Sequence, residues 1–402
     1  MSLGNSAAAD SRAALATPVL SSSLVIFLAI CCGAVVANLY YAQPIVELIA
    51  PSIGLSSANA SLIVSLTQFG YALGLLFLVP LADLLENRRL LVGFTLAAAV
   101  CLAAAALSST PSLFLVASLL IGLTSVAVQI LVPLAAHMAP EASRGRVVGN
   151  IMSGLLLGIL LSRPISSTLA EAFGWRGVFF SAAGLMAFMA VVMGLLLPRR
   201  MPTHKATYAE LIGSVFTLAR RFAVLRERSL YQGLLFASFS SFWTIAPIEL
   251  VRHYGFSQTQ VAIFALVGAV GAIAAPIAGR LADAGHGVRG TLAALLLAPV
   301  ALVAGALPGA SWWWMVATAV LLDFAVQLNM VLGQREVYAL DPNSRARLNA
   351  VYMTSIFVGG ALGSLVASPL YEQVGWSLSA TSIAAVPGLA LLLFLIRHYR
   401  QG

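Results

Sequence analysis

Two charged side chains stand inside otherwise apolar runs, and each could do chemistry there. Asp323 lies about eleven residues into the run beginning at Trp312, roughly 16 Å along a helix and so near the middle of a bilayer. A carboxylate removed from water holds its proton more tightly than an exposed one, so a group so placed can exchange a proton near neutral pH. Gln327 and Gln334 follow at i+4 and i+11. On a helical wheel both fall within about 40° of Asp323, which makes one polar stripe. The competing reading is a carboxylate that only hydrogen-bonds within a helix bundle. Arg163 is the second charge, and three roles are open to it: snorkelling toward the membrane surface, pairing with a carboxylate, or contact with an anionic substrate. A pair with Asp323 would stabilise the ionised carboxylate and weaken the proton-handling argument.

Neutral polar and aromatic groups add to the candidates. The first apolar run carries Asn38, Tyr41 and Gln43, the second Gln68, the fourth Gln129 and His137, and the tenth Asn329. Phe242 and Trp243 in the seventh could stack on apolar or aromatic ligands, although plain packing serves such rings equally well. Glu47, Glu249 and His137 lie near run ends, where gating and interfacial roles compete. No His/Cys cluster has metal-ligand spacing, and Cys31, Cys32 and Cys101 all sit in apolar runs. No Ser-His-Asp set occurs in a loop. The absence of a G-x-x-x-x-G-K segment speaks against an ATP-driven pump. Neither a cofactor nor a metal is expected.

These residues must be positioned by membrane helices. Of 402 residues, 60% are hydrophobic and 9% charged, far from the roughly one quarter charged of soluble domains. Six spans are expected within 24–198 and six within 229–397, an all-α integral membrane fold of twelve helices in two six-helix bundles. A tail (1–23), a basic link (199–228) with a surface helix from Tyr208 to Leu225, and a second tail (398–402) complete the chain. With twelve spans, all of the 22 Lys and Arg residues except Arg163, Arg176 and Arg252 fall on one side. The positive-inside rule makes that side the cytoplasm and places both termini there. The net charge of +8 therefore concerns anionic lipid and orientation rather than nucleic acid. Trp312–Trp314 fall at the opposite interface. The expected setting is a bacterial inner membrane, with a monomer in the lipid bilayer.

The halves repeat. Leu81-Ala82-Asp83 recurs as Leu281-Ala282-Asp283 at an offset of 200, and Gly174-Trp175 as Gly375-Trp376 at 201. Arg144-x-Arg146 recurs as Arg345-x-Arg347, and Gly158 as Gly359. Several matches at one offset, each in the same loop or span of its half, mark a duplication. Duplicated transporters commonly bind substrate between their halves.

The segment Val79-Pro-Leu-Ala-Asp83-Leu-Leu-Glu-Asn-Arg88-Arg89, echoed by Gly279-Arg-Leu-Ala-Asp283, resembles the loop between helices 2 and 3 of the major facilitator superfamily. Asp83, Arg88 and Arg89 match its pattern; Val79, Leu84, Glu86 and Asn87 depart from it. The resemblance implies alternating-access transport, with Asp83, Arg88, Arg89 and Asp283 as a cytoplasmic gate. It also implies that helices 1, 4, 7 and 10 line a central cavity, through Asn38, Tyr41, Gln129, Trp243, Asp323 and Gln327. Gly154-x-x-x-Gly158 resembles the start of a glycine-rich stretch in helix 5 of antiporters of that superfamily, drug:proton exporters included. Close helix packing alone explains the same two glycines. The segments Asn38–Pro44 and Arg345–Met353 resemble a bacterial subgroup of sugar or drug efflux permeases. The expectation is proton-coupled efflux of a small molecule, with protons entering through Asp323. Uptake by symport or facilitated diffusion is the alternative. A non-transporting membrane sensor, the third reading, would need a sizeable soluble domain, and the longest loop is about thirty residues.

Overall fold

The computed structural model describes residues 21–202, 207–307, 311–342 and 344–399, to which every statement below applies. Parts of the expected tails and link, at 1–20, 203–206 and 400–402, lie outside them. Helix α1 begins as Ser22–Ala37, capped by Ser21, whose hydroxyl accepts the Leu24 N–H at 3.2 Å. Its regular hydrogen bonding stops at Ala37, and the chain continues through turns, a short 3₁₀ segment at Gln43–Ile45 and the helix Val46–Ser52. The next spans are α2 (Leu62–Phe77), α3 (Asn87–Leu107) and α4 (Pro111–Met138), the last interrupted at Ser125. Helices α5 (144–173) and α6 (175–196) complete the first half. The second half comprises α7 (Ala223–Arg252), α8 (Gln258–Asp283), α9 (Gly287–Gly305), α10 (Trp312–Ala339), α11 (345–374) and α12 (376–399).

Among the described residues, nine helical stretches are long and apolar enough to cross a membrane. Two of them are double. Each is broken at one glycine with positive φ: Gly174 at 71° and Gly375 at 72°. Such a φ is nearly free of strain only for glycine. The chain reverses at both breaks. Arg176, just after the first, bonds the Ser108 carbonyl between α3 and α4; the far end of α6 returns to Arg88 and Asn87 at the start of α3. With the shorter Ser22–Ala37 helix added, the spans number twelve, as the sequence led us to expect.

Burial follows from position in the bundle. In α7, 89% of the apolar window is buried, against 39% in α3 and α9, so α7 is central and the other two are peripheral. Helices α3, α6, α9 and α12 expose Val100, Phe188, Val300 and Leu392, the arrangement lipid requires, since only a surface without free polar groups suits hydrocarbon. Helices α1 and α5 cross at close range. A methyl group on Gly154 would lie 2.8 Å from the Ala29 Cα, and one on Gly158 would strike the Gly33 backbone. The second half repeats the crossing between α7 and α11, where a methyl on Gly359 would lie 2.9 Å from the Gly233 Cα.

The link differs from expectation at both ends. Its surface helix is Tyr208–Arg221, not reaching Leu225, and α7 starts at Ala223 rather than Ser229. The extra turns are stabilised by burial: Arg228 donates to Glu336 through Nε (2.7 Å) and Nη2, and to the Thr291 hydroxyl at 2.7 Å. Glu227 pairs with Arg397 on α12. The surface helix has its own start signal, a reciprocal capping box between Thr207 and Glu210. Leu211, Val215 and Leu218 line its buried side.

Candidate functional site at the seam between the halves

Asp323 and Arg163 converge on one indole. Trp243 of α7 donates its Nε1–H to Asp323 Oδ1 of α10 at 2.8 Å. Across the seam, the Arg163 guanidinium of α5 lies over the same ring, 4.4 Å from its centroid. Phe239, one turn before Trp243, and Tyr40 of the first half complete the aromatic surround, at 5.6 and 5.1 Å. The two charges act on each other electrostatically, but no carboxylate among the described residues lies within the 4.0 Å ion-pair distance of Arg163. In place of a direct pair with Asp323, both charges contact Trp243, the guanidinium its face and the carboxylate its N–H edge. Glycines of α8 make room: a methyl on Gly271 would come 2.6 Å from Asp323 Cβ.

Arg163 is 4% exposed, so it does not snorkel. Its Nε donates to Gln43 Oε1 at 3.0 Å. Its Nη2 and the Gln43 Nε2, both buried, have no hydrogen-bond partner among the described residues.

The other expected cavity residues are placed variously. Gln129 donates to the Tyr71 hydroxyl at 3.0 Å, and Tyr71 packs edge-on against Phe357 of the second half with centroids 4.5 Å apart. Gln327 is half-buried on the Asp323 stripe. Gln334 lies farther along α10 and bonds Tyr338 and Asn349. Asn38 is turned into its own bundle, its amide against Ser125 and Met186 at 3.4 Å each; this corrects its expected place in the cavity. Tyr41 is buried and offers its carbonyl to Ser166 at 2.6 Å, while its neighbour Tyr40 reaches Arg163. The sequence reading missed Tyr40 and Phe239. An aromatic four residues before Trp243 was the available signal for Phe239.

The halves are clasped from mid-depth to the face opposite the basic loops. Gln68 donates to Ser240 at 2.6 Å, and Ser65 to the Ala361 carbonyl at 2.7 Å. At the far end Arg252 grips Glu47 of the first half with both Nε and Nη2 (2.7 and 2.9 Å), and Glu372 of α11 with Nη1 at 2.6 Å. The Thr259 hydroxyl donates to Glu171 nearby. Behind this clasp a cavity of about 560 Å³, lined by Glu249, Arg252, Tyr371 and Trp376, opens within the second half without reaching Asp323. On the basic side, no hydrogen bond or ion pair among the described residues joins spans of one half to spans of the other.

The loop residues expected to gate that side are not engaged with one another. Asp83 is exposed and outside ion-pair range of Arg88 and Arg89. Both arginines turn to Glu86, at 3.7 and 2.8 Å. Asp283 pairs with Arg335 at 2.6 Å, within its own half.

Two pseudo-repeated bundles of membrane helices, with charged groups where they meet, define a polytopic transporter fold. The chain belongs to the Major Facilitator Superfamily, whose family model matches residues 25–297 and 228–401. It is a multi-pass membrane transporter and not an enzyme. It is 40% identical over 383 residues to the uncharacterized transporter YgaY of Escherichia coli O157:H7, covering 95% of this chain and 97% of that one. It is 32% identical over 370 residues to SCO4007 of Streptomyces coelicolor, described as a probable transporter, covering 91% and 84%. Among solved structures, a bacterial homolog of the human lysosomal transporter Spinster, inward-facing and unoccupied, superposes with a TM-score of 0.74 at 14% identity, covering 93% of this chain and 96% of that one. The nucleoside transporter NupG superposes with the same TM-score at 13% identity, covering 92% and 99%. At such identities these likenesses concern the fold alone.

Proposed function

We propose that this transporter is secondary active and proton-coupled, works by alternating access, and uses Asp323 as its coupling carboxylate. The observation that carries the reading is the position of Asp323 at the seam, bonded to Trp243, whose ring also holds the cation of the other half. Rocking of the halves must change the surroundings of both charges together. An ionised group in low dielectric is costly unless compensated, so proton binding and conformation are linked. The small-molecule substrate binds beside this cluster, with Tyr40, Phe239, Trp243, Gln129 and Gln327 within reach. One chain supplies both sides of the site, and a monomer suffices.

The Arg252 clasp holds one face shut, and Asp83, Arg88, Arg89 and Asp283 close the other face in the opposite state. The positive-inside rule makes the basic face cytoplasmic, in a bacterial inner membrane with both termini inside. Export in exchange for protons is the direction implied by the resemblance of α5 to antiporters. A separate observation, the unpartnered donor of buried Arg163, favours uptake together with protons and is developed below.

The test is reconstitution into liposomes carrying a pH-sensitive dye and an imposed pH gradient, screened against metabolites and drugs. A substrate should collapse the gradient. Asp323→Asn should lose gradient-driven movement while keeping exchange of substrate down its own gradient. Full gradient-driven movement in that variant would remove Asp323 from the mechanism.

A further inference from the structure

We infer that the transported molecule is an anion, most simply an aromatic or otherwise flat monocarboxylate, whose charged end binds Arg163 Nη2 and Gln43 Nε2. The inference rests on the site proposed above and adds the chemical class of its ligand.

The argument begins with hydrogen-bond supply. A guanidinium carries five N–H donors and accepts none. One of these, on Nε, is used by Gln43 Oε1. The bond turns the Gln43 amide so that its oxygen faces the arginine, which leaves its Nε2 as a pure donor, and that donor is unsatisfied as well. Gln43 is 0% exposed and Arg163 4%. Two adjacent buried donors with one full positive charge between them call for an acceptor that carries negative charge. Leaving such groups unpaired costs far more than leaving a neutral one.

The protein's own carboxylates do not fill this role. Asp323 accepts the Trp243 N–H, at the edge of the ring whose face Arg163 covers. The groups that act electrostatically on Arg163 are Asp323 and Tyr40, and neither makes a hydrogen bond to it among the described residues. A cationic ligand would have to displace Arg163 from the faces of Tyr40, Phe239 and Trp243, which it already covers. A flat body behind an anionic end meets the same rings once the halves part, with the guanidinium left in place as its anchor.

Anionic charge also sets the sign of coupling. An ionised Asp323 repels an incoming carboxylate, whereas a protonated one does not. Anion and proton therefore bind cooperatively and travel in the same direction. A cation would compete with the proton and travel against it.

Equilibrium binding to the purified full-length protein in detergent tests this without any transport step. It therefore fails or succeeds independently of proton coupling. The probes are a matched set: benzoate, its neutral amide benzamide, and the cation benzylamine. Benzoate should quench tryptophan fluorescence and raise the melting temperature in the millimolar range expected for a fragment with one charged anchor, up to about 10 mM. Benzamide and benzylamine should bind at least ~10-fold more weakly, the difference expected of a charge-assisted over a neutral hydrogen bond. Arg163→Gln should abolish benzoate binding. Gln43→Leu, which keeps the side-chain bulk and the cation, should weaken it by about 5-fold, the loss expected of one hydrogen bond. Asp323→Asn should tighten it. Equal binding of the three probes, benzoate binding unaltered by Gln43→Leu in a folded protein, weaker binding in Asp323→Asn, or no binding of any probe would each overturn the assignment.

Discussion

Removing Arg252 should unlatch the face opposite the basic loops. Its guanidinium holds Glu47 of the first half with two bonds and Glu372 with a third, at 2.6–2.9 Å. The side chains are partly exposed: 34% for Arg252, 20% for Glu47 and 29% for Glu372. Ion pairs of that exposure contribute about 0.5–1 kcal/mol each. Only the Glu47 pair crosses the seam directly, while Glu372 holds Arg252 in the geometry that reaches it. The latch across the seam is then worth about 0.5–1 kcal/mol, and Arg252→Gln should shift the balance of the two states about 2- to 5-fold. The shift stays incomplete because the Thr259–Glu171 and Ser65–Ala361 contacts remain. Spin labels at the exposed positions Ser56 and Gln373, one on each half, report the change by double electron–electron resonance. The longer-distance population should grow in Arg252→Gln, and Glu47→Gln on top of it should add little. High salt should mimic part of the effect in the native protein by screening. An unchanged distance distribution would refute the latch.

Other consequences can be measured separately. Trp243→Phe keeps a ring beneath Arg163 but removes the donor to Asp323; proton-driven transport should fall about 10- to 100-fold, the worth of one bond to a charged group. Arg228→Met leaves the Thr291 hydroxyl and the 40%-exposed Glu336 carboxylate without their shared donor, so about 1–2 kcal/mol of stability should be lost, read as a lower thermal unfolding temperature. Gly158→Leu should drive α1 and α5 apart and lower the yield of folded protein, because the Gly33 backbone occupies the space. In the surface helix, the Thr207 N–H and hydroxyl hold the Glu210 carboxyl below its ordinary value of 4.5. The stabilisation is therefore complete above that value and disappears as pH falls through the depressed one. Hydrogen exchange at the start of the helix should quicken only at such acid pH, and Glu210→Gln should be insensitive to it.

Most of the architecture was legible because it depends on one-dimensional signals: apolar length, the placing of basic residues and the offset of 200–201. The site was legible only in part. Asp323 and Trp243 could be chosen because a lone charge, or an indole near one, stands out in an apolar run. How two helices face each other could not be read, so the shared contact of Asp323 and Arg163 with Trp243 was beyond reach. The polarity of Asn38 and Tyr41 marks them in the first run but does not say which way a side chain there turns. Regular helix ends at Ala37, just before both residues. Arg228 was assigned to a loop because it sits among basic residues; its partner Glu336 is 108 positions away.

Because one indole touches a cation from the first half and an anion from the second, its excited state is a built-in optical gauge of their separation. A protein keeping Trp243 and replacing the other five tryptophans would change colour and brightness as the guanidinium leaves the ring. The working cycle could then be followed in real time without any attached dye.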